Sequence, residues 1–132
     1  MAARTDLILT DGQATPVAHT FTPDGSDANG VHIFSEKSGI PADDSRFTVS
    51  LRRSGGRFRV SIKLAVPVTQ LQTVNGVSNP LVVRTGYAEV GFTFDETSSM
   101  QERWDVVRML SSALGADQAQ IEALVVGLSD IY

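Results

Sequence analysis

Three stretches of this chain alternate between polar and apolar residues with period two, and that alternation limits the fold more than any other feature. In Arg46-Phe47-Thr48-Val49-Ser50-Leu51-Arg52 the polar residues carry even numbers. In Arg59-Val60-Ser61-Ile62-Lys63-Leu64 they carry odd numbers. Further on, Tyr87, Glu89, Gly91 and Thr93 alternate with Ala88, Val90, Phe92 and Phe94. Successive side chains on a strand point to opposite faces of the sheet. Three such strands side by side make a sheet with one apolar face and one polar face. The block is also basic. Residues 46–94 hold Arg46, Arg52, Arg53, Arg57, Arg59, Lys63 and Arg84 against the single acid Glu89, a local balance of +6 in a chain of net charge −4. A basic, hydroxyl-bearing face on an acidic chain suits a polyanion. The acidic remainder confines any nucleic-acid contact to that face.

The length of 132 residues implies one domain spanning 1–132, with a sheet region over 1–94 and helices over 98–128. Apolar residues at 42% and charged residues at 20% describe a globular chain, not a disordered one. The absence of cysteine excludes disulfides, thiolate metal sites and a cysteine nucleophile, and leaves the redox compartment open. No apolar run approaches the length of a membrane span. Met-Ala-Ala-Arg-Thr-Asp at the start lacks the hydrophobic core of a signal peptide, so a soluble, intracellularly made protein is expected.

Along the chain, Asp6–Thr10 and Val17–Thr22 read as short strands joined at Asp11-Gly12-Gln13. Loop chemistry follows at 23–27, with a turn signal at Asn29-Gly30 and a third strand over Val31–Ser35. Residues 37–45, with Gly39, Pro41 and Asp43-Asp44, read as a loop. Long strands over Arg46–Arg53 and Arg57–Val66 flank a tight turn at Ser54-Gly55-Gly56. Pro67 is expected to end the second of them, because proline cannot donate to a sheet ladder. Residues 67–80 then read as a long, exposed connection, and Leu81–Phe94 as the last strand. The period changes after that. Ser98 and Ser99 precede Gln101 and Glu102 in capping-box spacing. Met100, Trp104, Val107, Leu110 and Leu114 recur at helical spacing, with Gly115 as a stop. Asp117 with Gln120 is expected to open a second helix carrying Ile121, Leu124, Val125 and Leu128. Strands followed by helices describe an α+β fold with an antiparallel sheet. Two short helices with wide apolar faces cannot cover the sheet alone. A homodimer that exchanges its helical arms and pairs sheet edges is therefore expected.

Few residues offer chemistry. His19 and His32 have no cysteine, histidine or carboxylate at ligand spacing, so no metal or cofactor is expected. Asp43-Asp44 and Asp95-Glu96 sit beside turn or cap positions, where adjacent acids are solvated. No serine lies in a nucleophile motif. Gly55-Gly56 precedes a strand, not a helix, and cannot cradle a phosphate. No set of convergent polar groups marks a small-molecule pocket. The chain is not expected to be an enzyme. Tyr87 is the exception, because an exposed aromatic among arginines and hydroxyls is a stacking platform for an unpaired base. Arginine and lysine would hold phosphates, and Thr48, Ser50 and Ser61 would bond bases or 2′-hydroxyls. Glu89 repels phosphate and suits a base amino group or a 2′-hydroxyl.

Taken in order, Asn29-Gly30-Val31, Arg46 to Arg52, Phe58 to Pro67, Arg84 to Phe94 and the tail ending in Ile131-Tyr132 resemble the coat proteins of single-stranded RNA bacteriophages, the leviviruses. The resemblance covers nearly the whole chain. It implies an N-terminal β-hairpin, a five-stranded antiparallel sheet and two C-terminal helices that interlock in a homodimer. It implies a virion protein, made in the cytoplasm of a bacterial host, that closes into an icosahedral shell around single-stranded RNA. The inner sheet face would bind an RNA stem-loop at the replicase start and repress translation. Carried over by position, that face comprises Thr48, Ser50, Ser61, Lys63, Tyr87 and Glu89, with Val31, Arg46, Arg52 and Arg59 nearby. Glu89 stands where relatives carry a short Asn or Asp. Residues 67–80 would cluster at the symmetry axes, without the cysteines that crosslink some shells. The competing reading is a dimeric RNA-binding regulator that does not assemble.

Overall fold

The computed structural model describes residues 3–37, 44–115 and 117–130, apart from the side chains of Asn79 and Pro80. Gly39, Pro41 and Asp43 of the loop expected over 37–45, and the tail residues Ile131-Tyr132, lie outside the described residues. The chain falls into two compact units, one ending at Thr93 and one beginning at Phe94.

The first unit is a sheet whose strands follow one another in chain order: β1 (Leu7–Thr10), β2 (Ala18–Ser26), β3 (His32–Glu36), β4 (Ser45–Ser54), β5 (Arg57–Val74) and β6 (Val77–Asp95). A separate hairpin plus five strands was expected. Among the described residues six strands are found, because β2 serves both parts. Its first residues pair with β1, from Leu7 opposite Phe21 to Thr10 opposite Ala18. Its last residues pair with β3, with a register shift between Pro23 and Ser26. Residues 23–26 are therefore strand and not loop. Asp24 anchors the irregular stretch: its Oδ2 accepts from the buried Ser35 hydroxyl at 2.9 Å and from Lys37 Nζ at 3.0 Å. The lysine first, then the serine hydroxyl, holds the Asp24 carboxyl below its usual pKa.

The longest departure from expectation is at 67–80. Pro67 does not end β5, which runs on to Val74, and β6 begins at Val77. The expected loop is a two-stranded ribbon closed by a two-residue turn. Asn75 and Gly76 have φ of 53° and 79°, the left-handed pair that a tight hairpin with correctly twisted arms requires. The last β4 partner on β5 is Ala65, opposite Arg46. Pro67 lies beyond it, on an edge that a residue without an N–H can occupy. The other tight turn falls where expected, with Gly55 and Gly56 at φ of 60° and 76° and Ser54 opposite Arg57.

Register sorts the faces. Phe34 lies opposite Phe47, and Phe47 opposite Leu64, so these share one face. Among the described residues Phe21 and Phe34 are the buried hydrophobic ones, and the Phe21 and Phe47 rings meet edge to face with centroids 6.4 Å apart. That apolar face is incompletely covered, since Leu51 remains 64% exposed.

The second unit carries α1 (Met100–Ala113) and α2 (Ala119–Val125). The Ser99 hydroxyl accepts from Glu102 N–H at 3.2 Å, as the capping-box spacing requires. Leu114 is the C-cap of α1, its N–H donating to the Leu110 carbonyl. Asp117 does not open α2. Gln118 stands at the cap without a side-chain bond, and the helix stops before Leu128, whose φ is 52°. Neither helix has a buried residue.

Candidate nucleic-acid interface

The polar face is built by the β4–β5 register. Thr48 lies opposite Lys63, Ser50 opposite Ser61 and Arg52 opposite Arg59, so all six project from one side. Together with Val31 and Asp27 they line a depression of about 470 Å³. A second depression of about 260 Å³ adjoins it and shares Thr48 and Lys63. Arg46, Tyr87 and Glu89 complete its polar lining, with Leu64, Ala65 and Ala88. Every residue expected on the face from the sequence thus lines one of two connected hollows.

The aromatic of this face stands free, with Tyr87 82% exposed. Lys63 Nζ lies 3.9 Å from Glu89 Oε1, and both side chains are exposed. Such a pair contributes little to stability, because water screens it. Lys63 lines both hollows, and Glu89 lines the second. Arg52 and Arg59 are cross-strand partners lining the same hollow, a like-charge pairing that a bound anion would relieve. The basic block does not all face this way. Arg53 lies over the Phe58 ring, 5.6 Å from its centroid, on the apolar face.

Two groups were not legible as neighbours of anything in the sequence. Asp27 lines the basic hollow, although its spacing from Asn29-Gly30 marks only a turn. His19, with no carboxylate at ligand spacing in the sequence, is held between two that the fold brings to it. Its Nε2 lies 2.7 Å from Asp11 Oδ2 and its Nδ1 lies 2.6 Å from Glu36 Oε2. Only an imidazolium can donate from both nitrogens. The Asp11 hydrogen bond first, then that of Glu36, raises the His19 pKa above its usual 6.5. In turn His19, with the Val17 amide after it, lowers the Asp11 pKa to about 2. This cluster ties the β1–β2 connection to β3 at the rim of a small apolar cavity lined by Phe21, Leu64 and Val66. No metal site forms among the described residues.

The model of the family described as levivirus coat protein matches residues 2–132. The chain belongs to the levivirus coat protein family. It is 44% identical over 128 residues to the capsid protein of Pseudomonas phage PRR1, covering 96% of this chain and 97% of that one. It is 35% identical over 118 residues to the capsid protein of Escherichia virus Qbeta, covering 86% and 84% of the two chains. Among solved structures, the virus-like particle of bacteriophage ESE058 superposes with a TM-score of 0.87 at 26% identity, covering 99% of this chain and all of that one. The capsid protein of bacteriophage GA gives 0.83 at 26% identity, with 99% of each chain covered. A levivirus coat protein is a structural component of the virion and not an enzyme. Among the described residues no helix is long and apolar enough to cross a membrane.

Proposed function

We propose that this coat protein pairs into homodimers, closes as dimers into an icosahedral shell around single-stranded RNA, and holds an RNA stem-loop against the β4–β6 face. In this reading 1–132 is one coat-protein domain whose strand and helix units are completed by a second copy. The observation that carries the RNA contact is the convergence of ten polar, basic and aromatic positions on two hollows sharing Thr48 and Lys63. Shell formation is supported by relatives and structural neighbours named as capsid proteins and virus-like particles. Dimerisation is supported by helices without a buried residue and by the exposed apolar groups on them: Met100 at 68%, Met109 at 72% and Trp104 at 49%. A chain of this size does not leave that much apolar surface to water without a partner.

In the hollows, Tyr87 would stack on an unpaired base, Arg46, Arg52, Arg59 and Lys63 would neutralise phosphates, and the hydroxyls of Thr48, Ser50 and Ser61 would bond base edges or 2′-hydroxyls. A stem-loop enclosing the replicase start would be closed to ribosomes while so held, which is the basis for translational repression. The test is expression of the chain alone, with light scattering on the eluted particle and its absorbance ratio for nucleic acid. A megadalton particle containing RNA is expected. A dimer of twice the chain mass that binds RNA but never assembles would instead make it a regulator.

A further inference from the structure

One acid sits in the basic hollow, and its geometry is set by the backbone. Asp27 Oδ1 accepts from the N–H groups of Asn29 at 2.8 Å and Val31 at 3.0 Å. The turn is closed by the Asp27 N–H donating to the Val31 carbonyl at 3.0 Å and by the Gly30 N–H donating to the Asp27 carbonyl at 3.2 Å. These bonds engage Oδ1 and orient the carboxylate. Oδ2 has no hydrogen-bond or ion-pair partner among the described residues. The same hollow is lined by the cross-strand partners Arg52 and Arg59.

A carboxylate in a phosphate-binding hollow opposes the charge the hollow exists to attract, so its use must be something phosphate contacts cannot supply. An ionised carboxylate only accepts hydrogen bonds. Cytosine, adenine and guanine carry exocyclic amine donors, at N4, N6 and N2; uracil has none and presents a carbonyl where cytosine carries N4. We propose that Asp27 is a specificity-determining residue of this face: its Oδ2 accepts from the exocyclic amine of an unpaired base and rejects uracil, whose carbonyl would meet the carboxylate. The inference rests on the RNA reading above and adds base choice to it.

The decisive variant is Asp27→Asn, assayed in the full-length chain. Asparagine keeps an oxygen for the Asn29 and Val31 amides, so the turn survives, and it presents an NH₂ where Oδ2 stood. The probes are single-stranded oligoribonucleotides of cytidine and of uridine, equal in length and read by fluorescence anisotropy. The parent is expected to prefer cytidine by about tenfold, the scale of one charge-assisted hydrogen bond. In D27N the preference should vanish or invert. A second measurement changes the probe instead: replacing adenosine by purine riboside, which lacks the 6-amino group, should weaken binding to the parent and not to D27N. If D27N instead strengthens binding to all oligonucleotides equally, Asp27 only offsets the arginines and the proposal fails. An unchanged base order in D27N, with Tyr87→Ala still weakening binding, also overturns it while leaving the RNA reading intact. No binding of any oligonucleotide by the parent would remove the RNA reading itself.

Discussion

In the RNA reading, Tyr87 and Lys63 would divide the work of the polar face in a way that separate measurements can resolve. Tyr87 is exposed and carries no charge, so its proposed contribution is base stacking and not phosphate neutralisation. Replacing it by alanine should weaken hairpin binding by roughly 1–3 kcal/mol at every salt concentration. In the RNA reading Lys63 would act through counterion release. Lys63→Ala should lower affinity and also reduce the slope of log affinity against log salt by about one; an unchanged slope would remove Lys63 from the phosphate contacts. His19 makes a prediction of a different kind. Its folded pKa is raised, so the contribution of the clamp is complete below the unfolded value of 6.5 and is lost as pH rises through the folded value. The folded pKa of Asp11 is lowered to about 2 from 3.8, so its share is present above 3.8 and is lost as pH falls toward 2. The clamp is therefore at full strength between those unfolded values. Melting temperature followed against pH should decline on the alkaline side, and His19→Gln should flatten that decline. A parallel decline in both proteins would place its origin elsewhere.

At the scale of elements, the β5–β6 ribbon behaves differently from the rest of the sheet. Up to Ala65, β5 has β4 on one side and β6 on the other. Beyond that point β4 offers no partner, and a two-stranded ribbon by itself is marginal in water. Its apolar residues are exposed, Leu71 at 76% and Val77 at 58%. Those side chains are available to neighbouring copies in a shell. Gly76 sits at a φ that a β-branched residue rarely tolerates. Gly76→Val should destabilise the turn by about 1 kcal/mol or more. Particle size or yield should change while the dimer persists. Loss of the dimer itself would place the ribbon in the dimer's own fold.

At the scale of the whole molecule, the question is what covers the helices. Met100, Arg103, Trp104 and Val107 line an open groove of about 370 Å³ on α1, and the Arg108 guanidinium lies 4.8 Å from the Trp104 ring centroid. A tryptophan half-open on a helix with no buried residue is a natural anchor for a partner. In the dimer reading, Trp104→Glu should buries a charge at that interface. The variant should elute at monomer mass or aggregate, with its helical circular dichroism retained in soluble material. A variant that remains fully dimeric would move the interface away from this face.

The alternation of residues 46–52, 59–64 and 87–94 was enough to specify strands, an apolar and a basic face, and most of the candidate site, because side-chain direction on a strand follows from residue parity alone. The start of α1 was legible for the same local reason: Ser99 caps it through a residue three places on. The misreadings share a cause. Pro67 could continue a strand only because β4 has already ended beside it. Residues 23–26 became strand only because β3 was there to pair with them. The His19 clamp and the place of Asp27 depend on groups brought together from different strands and turns, and no local spacing encodes such meetings. Parity along the chain decides which side of the sheet a residue faces, and the pairing of strands decides what it meets there.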